Sequence, residues 1–72
     1  MESPLASFVK NKRKLLNLTQ PDLANKAGVG LRFIRELEQG KTTLRLDKVN
    51  QVLQLFGHQI APVLDKKNNA DV

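Results

Sequence analysis

The 72-residue chain contains no cysteine, tryptophan or tyrosine, and only one histidine and three phenylalanines. Without cysteine there is neither a disulfide framework nor a zinc–thiolate site to stiffen a small fold. A chain this short forms one domain and buries only about 60% of the surface its unfolded form exposes, so its stability alone is marginal. Association is the remaining common route to more buried apolar area, so a homodimer is expected before any contact residue is considered. Long hydrophobic runs are also missing: no stretch approaches the roughly 20 apolar residues of a membrane span. Glu2 and Lys10 bracket only a broken apolar stretch, unlike a signal peptide. The expectation is a cytoplasmic protein with no membrane partner.

Catalytic side chains are equally sparse. His58 is the only histidine, and Ser3 and Ser7 have no base near them in sequence. Glu36 and Glu38 are two apart and so face different sides of a helix, which spoils a paired acid–base role. No enzyme, no metal and no cofactor are expected. His58 is most simply a residue at the start of the C-terminal segment.

What the chain does have is basic charge: 12 Lys and Arg against seven Asp and Glu, a net charge of +5 and a pI of about 10.0. That balance suits a polyanionic partner, but solubility alone also explains it. Where the charge sits is more telling, and the chain is organised around residues 19–40, TQPDLANKAGVGLRFIRELEQG. Thr19 is an N-cap with Asp22 three residues on, an acidic form of the capping box. Pro21 falls in the first turn, where its missing N–H has no intrahelical partner to lose. Leu23, Ala24 and Ala27 share a face. Gly28 stops this helix because glycine adopts the left-handed conformation without a Cβ clash.

A second helix starts after Gly30, with Phe33, Ile34 and Leu37 on one side and Arg32, Arg35, Glu36 and Gln39 on the other. Two short helices, a glycine turn and an exposed polar-basic face make the helix-turn-helix pattern, whose second helix enters the major groove of DNA. An ordinary αα-hairpin with a glycine turn is the plainer alternative.

Upstream, Ser3 caps and Pro4 occupies N1 of a helix running to about Leu16, with Leu5, Phe8, Val9, Lys12, Leu15 and Leu16 at helical spacing. Its other flank carries Lys10, Arg13 and Lys14, and Asn17 is the exit. Downstream, Gly40 ends the third helix. A fourth starts near Leu46, with Asp47 in its first turn, favoured by the helix dipole. Leu46, Val49, Val52, Leu53 and Phe56 form its apolar face, Leu55 lies off that stripe, and Gly57 is the stop. From His58 the period changes to two: Ile60, Pro62 and Leu64 point one way, Ala61 and Val63 the other. Pro62 restricts this to an edge strand. Pairing with its copy in a second subunit, through Leu55, Ile60, Ala61, Pro62, Val63 and Leu64, satisfies its backbone; an irregular tail packed on the fourth helix is the alternative. The expected architecture is thus all-α, a four-helix helix-turn-helix DNA-binding domain over 1–57. A C-terminal dimerisation strand over 58–64 and a flexible tail over 65–72 complete it.

The order of segments, with Gln20, Ala24, Gly28, Ile34, Leu37, Glu38 and Gly40 at their positions, resembles the Xre family of repressors related to those of lambdoid phages. The resemblance covers about residues 4–57. Within that family, the ending TTLRLDKVNQVLQLFGHQIAPVL is similar to HipB-type antitoxins. There a short C-terminal strand pairs across the dimer, and the protein represses its own operon and binds a HipA-like kinase toxin. The resemblance implies that Gln20 lies next to the DNA backbone and that Arg13 and Glu38 form an inward-facing salt bridge. Two residues depart from the family pattern. Gly30 stands where Ser or Thr is frequent, and Leu31 where a polar base-reading side chain is frequent.

On this reading Gly30, Leu31, Arg32, Arg35 and Glu36 are the candidate base-contacting residues. An Arg fork matches O6 and N7 of guanine, worth about 1–3 kcal/mol of discrimination. Arg32 either does this or pairs with Glu36 at i+4. Leu31 either meets a thymine methyl or turns inward, and Glu36 either accepts from cytosine or orients an arginine. Thr19 and Gln20, with Lys41, Thr42, Thr43 and Arg45 after the third helix, are the candidate phosphate clamps, which fix register without reading sequence. The expected partners are a double-stranded DNA operator, a second copy of the chain and a HipA-like toxin kinase. The last is gripped either by Leu55 or by the 60–64 segment. A stand-alone phage-type repressor without a toxin, or a chain that is mainly a toxin-binding interaction module, are the alternatives.

Overall fold

The computed structural model describes residues 3–64, so the expected tail over 65–72 lies outside the described residues. Four helices follow in order: α1 Pro4–Leu15, α2 Gln20–Ala27, α3 Leu31–Glu38 and α4 Leu46–Leu55. Each start has a local cause. The Ser3 hydroxyl accepts from the Ala6 N–H at 3.0 Å, and Pro4 occupies the first turn of α1. At α2 the capping box is complete: Asp22 N–H donates to Thr19 Oγ1 at 3.1 Å and Thr19 N–H to Asp22 Oδ2 at 3.0 Å. The starts of α3 at Gly30 and of α4 at Arg45 have no side-chain cap bond. These two helices are held by packing instead.

The core is one cluster: Val9 from α1, Leu23 and Ala24 from α2, Ile34 and Leu37 from α3, and Val49, Val52 and Leu53 from α4. Burying a side chain of the size of Leu23 or Ile34 contributes about 1.5–3 kcal/mol, and both are fully buried. Helix α3 packs on both α1 and α2, and α2 also packs on α4. On α1, Phe8 meets Phe56 edge-on at 6.4 Å and the His58 ring at 4.7 Å, while the Lys12 ammonium lies over its ring at 5.7 Å.

Three leucines assigned to the packed faces by periodicity are exposed instead. Leu15 and Leu16 are 74% and 55% accessible, and Leu46 66%. Leu15 is nine residues beyond the buried Ala6, which puts it half a turn round the helix. Leu16 is the C-cap of α1, one residue later than the helix itself reaches, and the chain turns away at Asn17 (φ 57°). Leu18 is half-buried there instead. Leu46 opens α4 where the helix overhangs the core, and Leu44, just ahead of it, packs inward.

After Gly57 (φ 75°) the chain runs along the outside of the domain. Among the described residues, 58–64 form no strand ladder. The segment is tied back at two points: His58 Nδ1 lies 2.8 Å from the Phe56 carbonyl, and Ile60 N–H donates to Asn50 Oδ1 at 2.8 Å. Among the described residues no helix is long and apolar enough to cross a membrane.

Candidate nucleic-acid interface

The turn between α2 and α3 rests on Gly28, at φ 75°, a conformation that L side chains rarely adopt. Its N–H and that of Val29 both donate to the Ala24 carbonyl at 3.0 Å, closing α2. Gly30 then caps α3 from an extended conformation (φ −75°, ψ 154°). Two residues separate α2 and α3 from an ordinary hairpin. Ala24 is 5% exposed, so the small side chain sits inside the helix crossing, while Val29 packs against the core.

This corner fixes the direction of α3. With Ile34, Leu37 and Glu38 buried on one side, Arg32 and Arg35 emerge on the opposite side, and both are exposed. The Arg32 side chain is 90% accessible and its Nε lies 3.4 Å from Glu36 Oε2, so the i+4 pair is formed. The same carboxylate oxygen also accepts from the Lys41 ammonium at 3.2 Å. That bond to Lys41, more than the nearby Arg32, holds the Glu36 carboxyl below its usual range. Glu36 thus bridges the recognition helix and the loop behind it. Among the described residues Arg35 has no ion-pair partner, which leaves its guanidinium open to a ligand. Leu31 is half-buried and packs against the core, so its side chain turns largely inward.

The proposed phosphate contacts flank this helix unevenly. Lys41, Thr42, Thr43 and Arg45 are all exposed on the α3–α4 loop. Two of the cations are already paired: Lys41 with Glu36, and Arg45 with Asp47 at 2.7 Å. At α2 the Thr19 N–H is taken by Asp22, whose carboxyl is lowered chiefly by that bond.

The interior side of α3 is fixed by a network of charges. Arg13 Nε donates to Glu38 Oε2 at 2.8 Å, its Nη2 to Glu38 Oε1 at 3.0 Å, and its Nη1 to the Leu18 carbonyl at 2.9 Å. The bidentate bond to Glu38 raises the guanidinium's pKa against the opposing effect of burial. Gln20 Nε2 donates to the same Glu38 Oε1 at 3.1 Å. Glu38, whose side chain is 2% accessible, therefore joins α1, the start of α2 and the end of α3. Sequence spacing gave no signal for the Gln20 bond, because the partners are 18 residues apart and on different helices.

Residues 9–60 match the helix-turn-helix family model, a span that includes α2, the glycine turn, α3 and α4 entire. Over 56 residues the chain is 52% identical to an uncharacterized HTH-type transcriptional regulator, y4mF, of Sinorhizobium fredii. That alignment covers 78% of this chain and 74% of the relative. With Gly28 at the corner, Ala24 in the crossing and Ile34 and Leu37 seating α3, the chain belongs to the helix-turn-helix family.

Proposed function

We propose that this protein is a sequence-specific DNA-binding transcriptional repressor that acts as a homodimer on an operator inverted repeat. The observation that carries this is α3 itself: Ile34 and Leu37 are buried while Arg32 and Arg35 face out from the corner made by Gly28. Arg35, with no ion-pair partner among the described residues, is the readiest base reader; Arg32 shares Glu36 with Lys41. Lys41, Thr42, Thr43 and Arg45 on one side, and Thr19 and Gln20 on the other, contact phosphates. A two-fold dimer sets half-sites about 34 Å, one helical turn, apart.

The finer reading is that the protein is the antitoxin of a HipBA-like module and binds a HipA-like kinase toxin. It is supported by the resemblance of the segment from Thr42 to Leu64 to HipB-type antitoxins. Within that segment Leu46, Leu55, Ile60, Val63 and Leu64 are exposed, and Leu55, Ile60, Val63 and Leu64 are the ones assigned to dimer or toxin contacts.

Gel shift on the DNA upstream of the protein's own gene, at two salt concentrations, tests the first reading. No shift even in dilute buffer refutes it. The neighbouring gene and co-purification test the second. A shifted operator with no adjoining kinase gene and no co-purifying kinase leaves a stand-alone repressor.

A further inference from the structure

We propose that the outer face of α1, from Phe8 to Leu15, is a docking surface for an amphipathic helix of a partner protein that carries Asp or Glu beside its apolar stripe. This goes beyond the DNA-binding reading, uses none of the residues assigned to DNA, and stands whether or not the protein is an antitoxin.

Two apolar features lie on this face. A groove of about 440 Å³ is lined by Leu5 and Phe8 of α1, Leu53 of α4, and His58 and Val63 of the C-terminal segment. Leu15 lies seven residues beyond Phe8, about two turns on and within about 20° of the same direction. It is 74% accessible, while Ala6, on the opposite side of the helix, is fully buried.

Spacing selects the form of the partner. Phe8 and Leu15 are about 10.5 Å apart along the helix axis. Side chains i and i+7 of a second helix laid alongside share that interval. An extended strand returns to one face every second residue, at about 6.8 and about 13.6 Å, and so misses it.

Charge selects its composition. Helix α1 carries Lys10, Lys12, Arg13 and Lys14 and no carboxylate, and residues 58–64 contain no Asp or Glu. Arg13 is turned inward to Glu38. Lys12 and Lys14 fall on either side of Leu15 by helical period. Among the described residues neither has an ion-pair partner. The Lys12 ammonium is held over the Phe8 ring at 5.7 Å, beside the groove. The same face of a second copy would set these lysines against their own kind. A nucleic acid supplies negative charge but no apolar side chain for the groove and Leu15. A helix with apolar residues at i, i+3 or i+4 and i+7, flanked by Asp or Glu, answers both requirements.

The test uses the full chain, with duplex DNA present to occupy α3. Displayed random peptides of about 16 residues, long enough for four helical turns, are selected on it and then measured by fluorescence anisotropy. The selected sequences are expected to show the apolar period with flanking Asp or Glu. Leu15→Ser is expected to weaken them at least about tenfold, with helicity unchanged because Leu15 is exposed. Lys12→Glu is expected to weaken them about fivefold, less at high salt. A peptide whose acidic flank is replaced by Lys should then bind Lys12→Glu better than it binds the native chain. A selection that enriches nothing, or peptides indifferent to both substitutions, overturns the proposal and leaves the DNA-binding reading standing. If Leu15→Ser instead weakens self-association in sedimentation equilibrium, the face belongs to a second copy. If it weakens duplex binding in a gel shift, the face belongs to DNA. Either result also overturns the proposal.

Discussion

Gln20 and Glu38, on α2 and α3, are joined by a 3.1 Å hydrogen bond from an amide at a helix start to a carboxylate that also takes both forks of Arg13. One buried carboxylate therefore sets the position of the recognition helix relative to the residue beside it and to α1. The pair's geometry is good, but desolvation offsets much of the attraction, so its effect is seen best by removing one partner.

Glu38→Gln should leave Arg13 inside without a counter-charge and lower stability by about 3 kcal/mol. The double variant Arg13→Met with Glu38→Leu should recover most of that loss, because two apolar groups replace the pair. Urea unfolding followed by circular dichroism measures both. If the double variant is as unstable as the single one, the loss comes from something other than the stranded charge.

The two glycines of the corner should respond with opposite signs. Gly28→Ala places a Cβ at φ 75° and should cost about 1–2 kcal/mol, although the nearest atom to that Cβ, Gln51 Nε2, is at an ordinary 3.7 Å. Gly30→Ser has open space around it and supplies the missing cap of α3, so it should stabilise by a few tenths of a kcal/mol. At about 4–8 °C of melting temperature per kcal/mol for a domain of this size, thermal melts separate the two signs.

Arg35→Ala should relax base preference at one operator position by about 1–3 kcal/mol, whereas Lys41→Ala should weaken all sequences alike. A binding-site selection compares them. A uniform loss from both would remove base reading by Arg35.

Glu36→Gln should release Arg32 and Lys41 together for phosphate contact. Affinity for arbitrary duplexes should then rise, and the slope of log K against log salt should steepen by about one to two. Fluorescence anisotropy over a salt series reads both quantities. An unchanged slope would mean that the carboxylate does not hold these cations off the phosphates.

Acid should lower stability through three paired carboxylates at the surface. Asp22, Glu36 and Asp47 are all held below their usual range, chiefly by Thr19, Lys41 and Arg45 respectively. A folded-state pKa depressed below the unfolded value contributes stability above the unfolded pKa, and that contribution is lost as pH falls through the folded one. Stability should be level near neutrality and decline from about pH 4 downward. Asp22→Asn should flatten part of that decline in urea titrations at pH 7 and pH 3.

The sequence by itself determined the parts that depend on neighbours in the chain. The capping box of Thr19 and Asp22, the Ser3–Pro4 start, the left-handed stop at Gly28, and the buried faces of α2 and α3 are set by spacings of a few residues, which local backbone chemistry decides. The exposed arginines on α3 follow from the same period once Ile34 and Leu37 are inside. Only the tertiary structure decided where a helix outruns the surface it packs on. Leu16 and Leu46 are apolar and near helical register, yet exposed, because periodicity gives a direction and not the extent of a neighbour, whereas Leu15 lies half a turn from the buried Ala6 and faces away from the core. It alone also decided which distant polar groups meet: Gln20 with Glu38, Lys41 with Glu36, and Asn50 with the backbone of Ile60. Those contacts depend on how the helices and the loops between them stack, and hydrogen bonds formed across 5, 10 and 18 residues of chain leave no period behind them.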